Sequence, residues 1–286
     1  MCSNPVWISN KSARYGNGHS VGRFVPCGHC VDCLRKRQNE WYVRFYLESK
    51  YWKKVLPSSQ TLFITLTYED KYLPKNREIA FKNLRALFKQ IERKGFVPRL
   101  RYYVVSENGS VTGRLHFHLL IFGVDMRKFP FGVDKEFKKL WSYGFSDCEI
   151  ASPKTFTYVS KYVTKDLDTF KDADSWKPIS SCSKRPPLGI LFFTDGHRVY
   201  YNLHTDNLVV PICGYNYSLP RYLRKCLLDD VNLFLQSTHC GILHGPTAQG
   251  REDDLVKRRS INNIYGFKKT KNKIKKEFLS DYGERK

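Results

Sequence analysis

Two histidines separated by one residue lie inside an apolar run of the sequence. The run extends from Leu115 to Phe122 and contains His116 and His118. In a β-strand alternate side chains share a face, so these imidazoles would project together while the residues between them pack behind the strand. Imidazoles bind divalent metals, and two on one face are the beginning of a metal site.

Glu107 is the best candidate for a third ligand, because two histidines do not close a metal site. It ends the preceding predicted strand, and a hairpin turning at Asn108 and Gly109 would bring its carboxylate back towards the imidazoles. Two imidazoles and one carboxylate with open coordination positions suit Mn²⁺ or Mg²⁺ acting on a phosphate oxygen. The alternative interpretation is a pair of partly exposed surface histidines, with Glu107 in a turn.

Two tyrosines spaced four residues apart follow in the segment Tyr158–Lys165. On a helix Tyr158 and Tyr162 share a face, with Lys165 between them and Lys161 beside them, while a separate valine face packs on a sheet. A phenol with an ordinary pKa of about 10 is a poor nucleophile at neutral pH, and lysine charge and a metal-activated phosphate would both help it attack. We predict catalytic roles for Tyr158, Tyr162 and Lys165; the alternative is ordinary packing of aromatic side chains.

The charge of the chain favours a polyanionic partner. Its 49 Lys and Arg against 27 Asp and Glu give a formal net charge of +22 over 286 residues. Such an excess makes binding to nucleic acid salt-sensitive. Lys161 and the run Arg35, Lys36 and Arg37 are the predicted DNA-binding residues. A hydrophobic content of 41% provides a substantial core and excludes a disordered basic protein.

Three cysteines form a tight cluster at Cys27, Cys30 and Cys33, with His29 among them. Three thiolates and one histidine or distant cysteine would satisfy a tetrahedral structural zinc site. The alternative is the start of a helix whose small thiols pack against a sheet. The remaining cysteines are interpreted as scattered and structural: Cys2, Cys148, Cys182, Cys213, Cys226 and Cys240.

The cellular setting follows from what the sequence lacks. No apolar run has the roughly 20 residues that span a membrane, and the first thirty residues do not form a secretory signal. Nine cysteines is an odd number, and in a long chain without a secretion signal this predicts a reduced cytoplasm and no membrane partner.

The secondary structure that must position these residues follows from periodicity and turn signals. Helices are predicted over residues 31–54, 80–93, 134–141 and 153–166, and strands over 62–68, 101–107, 115–122 and 145–150. This order predicts an α+β fold, with a central antiparallel β-sheet flanked by helices. Residues 1–26 are expected to be irregular, and a further hairpin is expected from strands at 198–203 and 208–212.

Three regions are predicted along the chain. Residues 1–57 form an N-terminal basic helical segment with the cysteine cluster, and residues 58–170 form the catalytic core. Residues 171–286 form a C-terminal accessory region that ends in a basic tail.

With these motifs in place, the chain resembles the HUH endonucleases, and more closely the replication initiator proteins of microviruses of the gokushovirus branch. The resemblance covers roughly residues 24–225. Three segments carry its main motifs: Phe63–Pro74, Glu107 with Arg114–His118, and Tyr158–Lys165, the last typical of the two-tyrosine class. Residues 27–33, 183–189 and 220–224 are also similar to these phage proteins.

The resemblance implies an HUH endonuclease fold and a metal-dependent, site-specific DNA strand transferase. Such an enzyme nicks the origin of the double-stranded replicative form, keeps a covalent 5′-phosphotyrosine link, and later rejoins the displaced strand as circular single-stranded DNA. Its partners would be phage origin DNA in single- and double-stranded form and the host helicase and DNA polymerase, in the host bacterial cytoplasm. Two alternatives stay open: a non-enzymatic basic DNA-binding or packaging protein with a cysteine-held zinc, and a relaxase or transposase with the same chemistry.

Overall fold

A computed structural model of the chain describes residues 2–14, 20–109, 114–165, 180–230 and 232–233. The chain divides into two compact units, one of residues 41–192 and the other of residues 1–40 together with 193–286. The three-region division made from the sequence stays a prediction, and its basic tail lies outside the described residues.

The helices and strands alternate along most of the chain. The helices are α1 (Val31–Val55), α2 (Arg77–Arg93), α3 (Val133–Leu140), α4 (Pro153–Lys165), α5 (Asp195–Leu203) and α6 (Arg221–Leu227). The strands are β1 (Val6–Arg14), β2 (Ser20–Val25), β3 (Ser59–Tyr68), β4 (Arg101–Asn108), β5 (Leu115–Asp125), β6 (Gly144–Ile150), β7 (Ser180–Cys182), β8 (Val209–Ile212) and β9 (Tyr215–Ser218).

The unit of residues 41–192 is built on a five-stranded sheet of order β6-β3-β5-β4-β7, in which every neighbouring pair is antiparallel. This confirms the predicted α+β fold with a central antiparallel sheet flanked by helices. Strand β5 occupies the centre, where both of its edges are hydrogen-bonded. Side chains on β5 are therefore held by two neighbouring strands and by whatever covers each face.

One face of the sheet is covered by α2 and α3. Leu115, Phe117 and other β5 residues of the same parity join a buried cluster with Leu84 and Ile91 of α2 and Phe137 of α3. Burying a large apolar side chain contributes about 1.5–3 kcal/mol relative to exposure, so this face holds the sheet together. The intervening residues of β5, which include both histidines, belong to the opposite face.

Local signals place α2 against that core. The side chain of Asn76 caps the helix by accepting a hydrogen bond of 3.0 Å from the Ile79 N–H. The helix ends before Gly95, whose φ of +65° suits a residue without a Cβ. Between these ends Leu84, Leu87 and Ile91 recur at helical spacing and are buried.

The opposite face is partly covered by aromatic side chains of α1 and α4. Phe45 of α1 packs on Tyr103 of β4, with ring centroids 4.8 Å apart, and also contacts Phe122 and Phe156. These rings cover one end of the face, and the other end carries His116 and His118.

A buried ion pair fastens the segment after β7 to this unit. Arg101 donates to Glu48 through Nε at 2.7 Å and Nη2 at 2.9 Å, and both side chains are almost wholly buried. Glu48 also accepts from the Gly189 N–H at 2.7 Å, and Arg101 donates to the Pro187 carbonyl at 3.1 Å. The network therefore joins α1, β4 and a loop far away in sequence.

The prediction that residues 1–26 are irregular is wrong, because β1 and β2 form an antiparallel hairpin in which Val6 pairs with Val25. Gly22, which suggests a chain break in the sequence, is a strand residue over which the Trp7 ring lies. A Cβ on Gly22 would fall 2.4 Å from that ring.

The prediction of a strand at 198–203 is also wrong, because these residues belong to α5. Its start carries a capping box in which Thr194 and His197 satisfy each other's groups. Strand β8 instead pairs with β9, through a turn in which Cys213 and Gly214 have φ of +48° and +79°.

Candidate metal and nucleophile site

Strand β3 orients both histidine rings. Thr67 lies opposite His116, and Thr65 lies opposite His118, in the β3–β5 register. The Thr67 hydroxyl is 2.9 Å from His116 Nδ1, and the Thr65 hydroxyl is 3.4 Å from His118 Nδ1. Contacts of this kind fix the orientation of a ligating imidazole and leave Nε2 as its metal-binding nitrogen.

Glu107 lies on β4 directly opposite His116, on the same face as both histidines. Its Oε2 is 3.2 Å from His118 Nε2. Among the described residues, only four cysteines gather their ligand atoms within 4.8 Å of one another, so the set of His116, His118 and Glu107 is more open than that. Its chemistry, two imidazole nitrogens and a carboxylate, suits a divalent metal.

Gly109 leaves space at the ligating nitrogen of His116. Its N–H donates to the Arg114 carbonyl at 2.9 Å, which closes the end of the β4–β5 pair. A Cβ at this position would lie 2.9 Å from His116 Nε2, closer than real Cβ contacts allow. The absence of a side chain here keeps the volume beside Nε2 free.

His116 is suited to act as a neutral ligand. Partial burial lowers the pKa of its imidazole below the ordinary value, and the charge of Arg114 lowers it further, while Glu107 acts in the opposite direction. The ring is therefore neutral at pH 7, the form that binds a metal.

The start of α4 determines which of its faces meets the sheet. The Ser152 hydroxyl accepts from the Thr155 N–H at 3.3 Å, and Thr155 Oγ1 accepts from the Ser152 N–H at 3.1 Å. Pro153 follows at the first helical position, where no N–H is required. Phe156 and Val159 are buried and anchor the helix through its apolar side.

This rotation places both tyrosines against His118. The Tyr162 ring stacks on the imidazole with centroids 4.6 Å apart, and the Tyr158 ring meets it edge-on at 5.9 Å. The Tyr162 hydroxyl donates a short hydrogen bond to the Tyr158 hydroxyl. Phe63 of β3 stacks on His118 as well, at 5.7 Å. The structure thus brings together His118, Glu107, Tyr158 and Tyr162.

The two phenols differ in environment. Tyr162 is 8% exposed and Tyr158 is 44% exposed. Burial raises the pKa of Tyr162 strongly, and the hydrogen bond to Tyr158 and the charge of Glu107 raise it further. Tyr162 is therefore protonated at neutral pH, and its attack on phosphorus would need both a proton acceptor and nearby positive charge.

The remaining predicted site residues lie elsewhere. Lys161 is exposed on α4, and Lys165 is the last residue of that helix, with a side chain outside the described residues. Arg35, Lys36 and Arg37 are exposed in the N-terminal part of α1, which belongs to the other compact unit.

Sequence reasoning missed Thr65, Thr67 and Gly109. The signal for the threonines was present, because they alternate in a predicted strand at the same spacing as the histidines. Identifying them as partners requires the β3–β5 register, which the sequence does not state.

The three predicted zinc ligands lie together and are joined by a fourth cysteine. The sulfurs of Cys2, Cys27, Cys30 and Cys33 all lie within 4.8 Å of one another, a grouping that could hold a metal. The interpretation of Cys2 as a scattered cysteine outside the cluster is wrong. The β1–β2 hairpin returns the chain to its starting point and so brings Cys2 beside Cys27.

Within the described part of the chain, no helix has the length and apolar character needed to cross a bilayer.

Comparison with known proteins follows the motifs. Residues 61–167 match the family model described as Replication-associated protein ORF2, a range that includes every histidine, glutamate and tyrosine of the site. The chain is 27% identical over 239 residues to Replication-associated protein ORF4 of Chlamydia phage 1, covering 74% of this chain and 57% of that protein. It is 28% identical over 219 residues to Replication-associated protein VP4 of Bdellovibrio phage phiMH2K, covering 69% and 65%.

These matches confirm the resemblance to microvirus replication proteins, although the aligned part spans less than two thirds of either relative. No solved structure matches the chain.

Proposed function

We propose that this protein initiates replication of a circular phage genome by nicking one strand at the origin and retaining the 5′ phosphate on a tyrosine. The observation that carries the proposal is the stacking of the α4 tyrosines on His118, beside Glu107. Phage replication-associated proteins are the relatives that the chain resembles, and the net charge of +22 suits a DNA partner.

His116, His118 and Glu107 would hold Mn²⁺ or Mg²⁺, which when bound would polarise the scissile phosphate and offset its developing charge. The threonines of β3 keep the rings in place, and Gly109 keeps the approach open. A structural Zn²⁺ at the cysteine cluster is a second, separate metal of the proposal.

The tyrosines perform the strand transfer. The phenolic oxygen of Tyr158 or Tyr162 attacks phosphorus and loses its proton, while the bond from phosphorus to the 3′ oxygen breaks and that oxygen takes up a proton. This leaves a 5′-phosphotyrosine and a free 3′-hydroxyl, which a host polymerase can extend behind a host helicase. The second tyrosine permits a second transfer, which releases and closes the displaced strand.

Basic side chains bind the DNA backbone in this proposal. Lys161 lies on the tyrosine helix, Lys165 ends it, and Arg35, Lys36 and Arg37 are exposed on α1. Contacts of this kind position a nucleic acid and do not specify its sequence. The setting would be the host bacterial cytoplasm.

Incubation with single-stranded phage-origin DNA and Mn²⁺, followed by denaturing electrophoresis and mass mapping, tests the proposal. We expect a peptide that carries DNA at Tyr158 or Tyr162 and that is absent after chelation. Tyr158→Phe and Tyr162→Phe should each reduce the adduct, and the double variant should form none, because no phenol remains on that face.

Tyr222→Phe is the matched control, because Tyr222 is an exposed tyrosine on α6 outside this site. An adduct that survives in the double variant overturns the tyrosine assignment. Tight, salt-sensitive binding without any adduct, across several origins and metals, supports the non-enzymatic DNA-binding or packaging protein instead.

A further inference from the structure

The spacing of the four cysteine sulfurs matches a metal-centred tetrahedron. Cys2 Sγ lies 3.5 Å from Cys27 Sγ and 3.8 Å from Cys30 Sγ, and Cys27 Sγ lies 4.0 Å from Cys33 Sγ. Four sulfurs about 2.3 Å from a central Zn²⁺ are about 3.8 Å apart along each edge. A disulfide would require a sulfur pair at about 2.05 Å.

Backbone amides support negative charge on these sulfurs. The Cys27 N–H donates to Cys2 Sγ at 3.3 Å, and the Cys30 N–H donates to Cys27 Sγ at 3.3 Å. Gly28, with φ of +82°, makes the tight turn that points the second of these amides at the sulfur. Hydrogen bonds from amides to thiolates stabilise the ligand form of cysteine.

The hairpin that meets this cluster has little apolar packing of its own. Val6, Trp7, Ile8 and Phe24 are each about half exposed. A two-stranded hairpin without a buried face is marginally stable in water. Something other than a core must hold β1 and β2 in place.

The four sulfurs come from three separate segments. Cys2 precedes β1, Cys27 and Cys30 lie between β2 and α1, and Cys33 is in the first turn of α1. An ion bound to all four would tie both ends of the hairpin to the helix. Four thiolates also fill a tetrahedral coordination sphere and leave no position for water or substrate, which is typical of a structural zinc.

We propose that Cys2, Cys27, Cys30 and Cys33 bind one Zn²⁺, and that this ion fastens the β1–β2 hairpin to the start of α1. Cys2 is the fourth ligand, and His29 is not required. Arg35, Lys36 and Arg37 follow the last ligand closely, so the ion fixes the hairpin beside a basic stretch of helix. The proposal concerns folding of this segment and does not depend on strand cleavage.

Metal analysis of the purified full chain tests the proposal. We expect about one zinc per chain for the unaltered protein, and thiolate charge-transfer absorption when Co²⁺ replaces it. Cys2→Ser should lower zinc affinity by about 100-fold or more, because an alcohol replaces a thiolate ligand. Cys226→Ser, which changes a cysteine on α6 outside the cluster, should keep its zinc.

Limited trypsin digestion provides a second readout. Loss of zinc, by chelation or in Cys33→Ser, should speed cleavage at Arg23 in β2 by about 10-fold, because the hairpin loses its anchor. Unchanged zinc content in Cys2→Ser would overturn the fourth-ligand assignment. A purified chain that takes up no zinc, or that contains disulfides among these cysteines, would overturn the whole proposal. Adduct formation is measured separately, so failure of either proposal is distinguishable.

Discussion

The histidine–tyrosine site stands on a sheet with a packed core, whereas the cysteine cluster joins segments that bury little apolar surface. His118 is held by two neighbouring strands, a threonine and three aromatic rings. The hairpin at the cysteine cluster has Trp7 and Phe24 about half exposed. The first site is shaped by the fold before any ligand arrives, and the second is where a ligand would complete the fold.

This difference separates two uses of a metal. A metal at the histidines would serve chemistry on a face that already exists, and its removal should leave the sheet intact. A metal at the cysteines would serve structure, and its removal should loosen the hairpin while the tyrosines keep their places. Three substitutions test this contrast.

The largest expected effect is on cleavage. His116→Ala should lower metal-dependent cleavage by about 10³-fold or more, because a ligand on the reacting phosphate's side is lost. Thermal stability and salt-sensitive DNA binding should change little, since His116 is only partly buried. Adduct yield, melting temperature and a DNA titration measure the three quantities.

His29→Ala is the matched control for His116→Ala, because His29 is exposed beside the cysteine cluster. It should retain both cleavage and zinc. An equal loss of DNA binding in His116→Ala would argue that this histidine serves the fold, and the contrast would fail.

The second effect is on stability of the sheet unit. Arg101→Met leaves the buried Glu48 carboxylate unpaired, so the free energy of unfolding should fall by about 3–5 kcal/mol. Zinc content should be unchanged, because the two units are separately built. Urea unfolding followed by tryptophan fluorescence measures the loss.

The double variant Glu48→Gln with Arg101→Met is the control for the charge. It removes both charges together and should recover part of the stability. If the single and double variants are equally destabilised, the unpaired charge is not the cause.

The smallest effect is expected at Gly109. Gly109→Ala adds a Cβ 2.9 Å from His116 Nε2, so the metal concentration for half-maximal cleavage should rise by about 10-fold. Stability should be unaffected, since Gly109 does not have the positive φ that would strain alanine. Asn108→Ala, at an exposed neighbouring position, should behave as the unaltered protein. A Gly109→Ala variant with an unchanged metal requirement would place the metal away from His116 Nε2.

Much of the sheet unit was predictable because its signals are local. The apolar periodicity of α1 and α2 and the alternation in β3 and β5 predicted these elements to within a few residues. The spacing of Tyr158 and Tyr162 predicted their common face, and their rings do lie in contact with centroids 5.0 Å apart.

What escaped prediction depends on partners distant in sequence. Gly22 indicates a break when taken alone, yet across the hairpin it is the residue that accommodates Trp7. Residues 198–203 contain valine and two tyrosines, which favour a strand, but the capping box at Thr194 starts a helix there. Cys2 joins its cluster only after the hairpin has formed.

The buried carboxylate of Glu48 has a consequence for the order in which the molecule is made. Its partner Arg101 lies 53 residues later, and the amide of Gly189 lies 141 residues later. At about 5–20 residues per second, a ribosome needs roughly 7–28 s to supply that last amide. Until then the α1 carboxylate lacks a full set of donors, so we expect the face that α1 shares with the tyrosine helix to close late in synthesis. A nascent chain would thus stay without its cutting site until the segment beyond β7 has emerged.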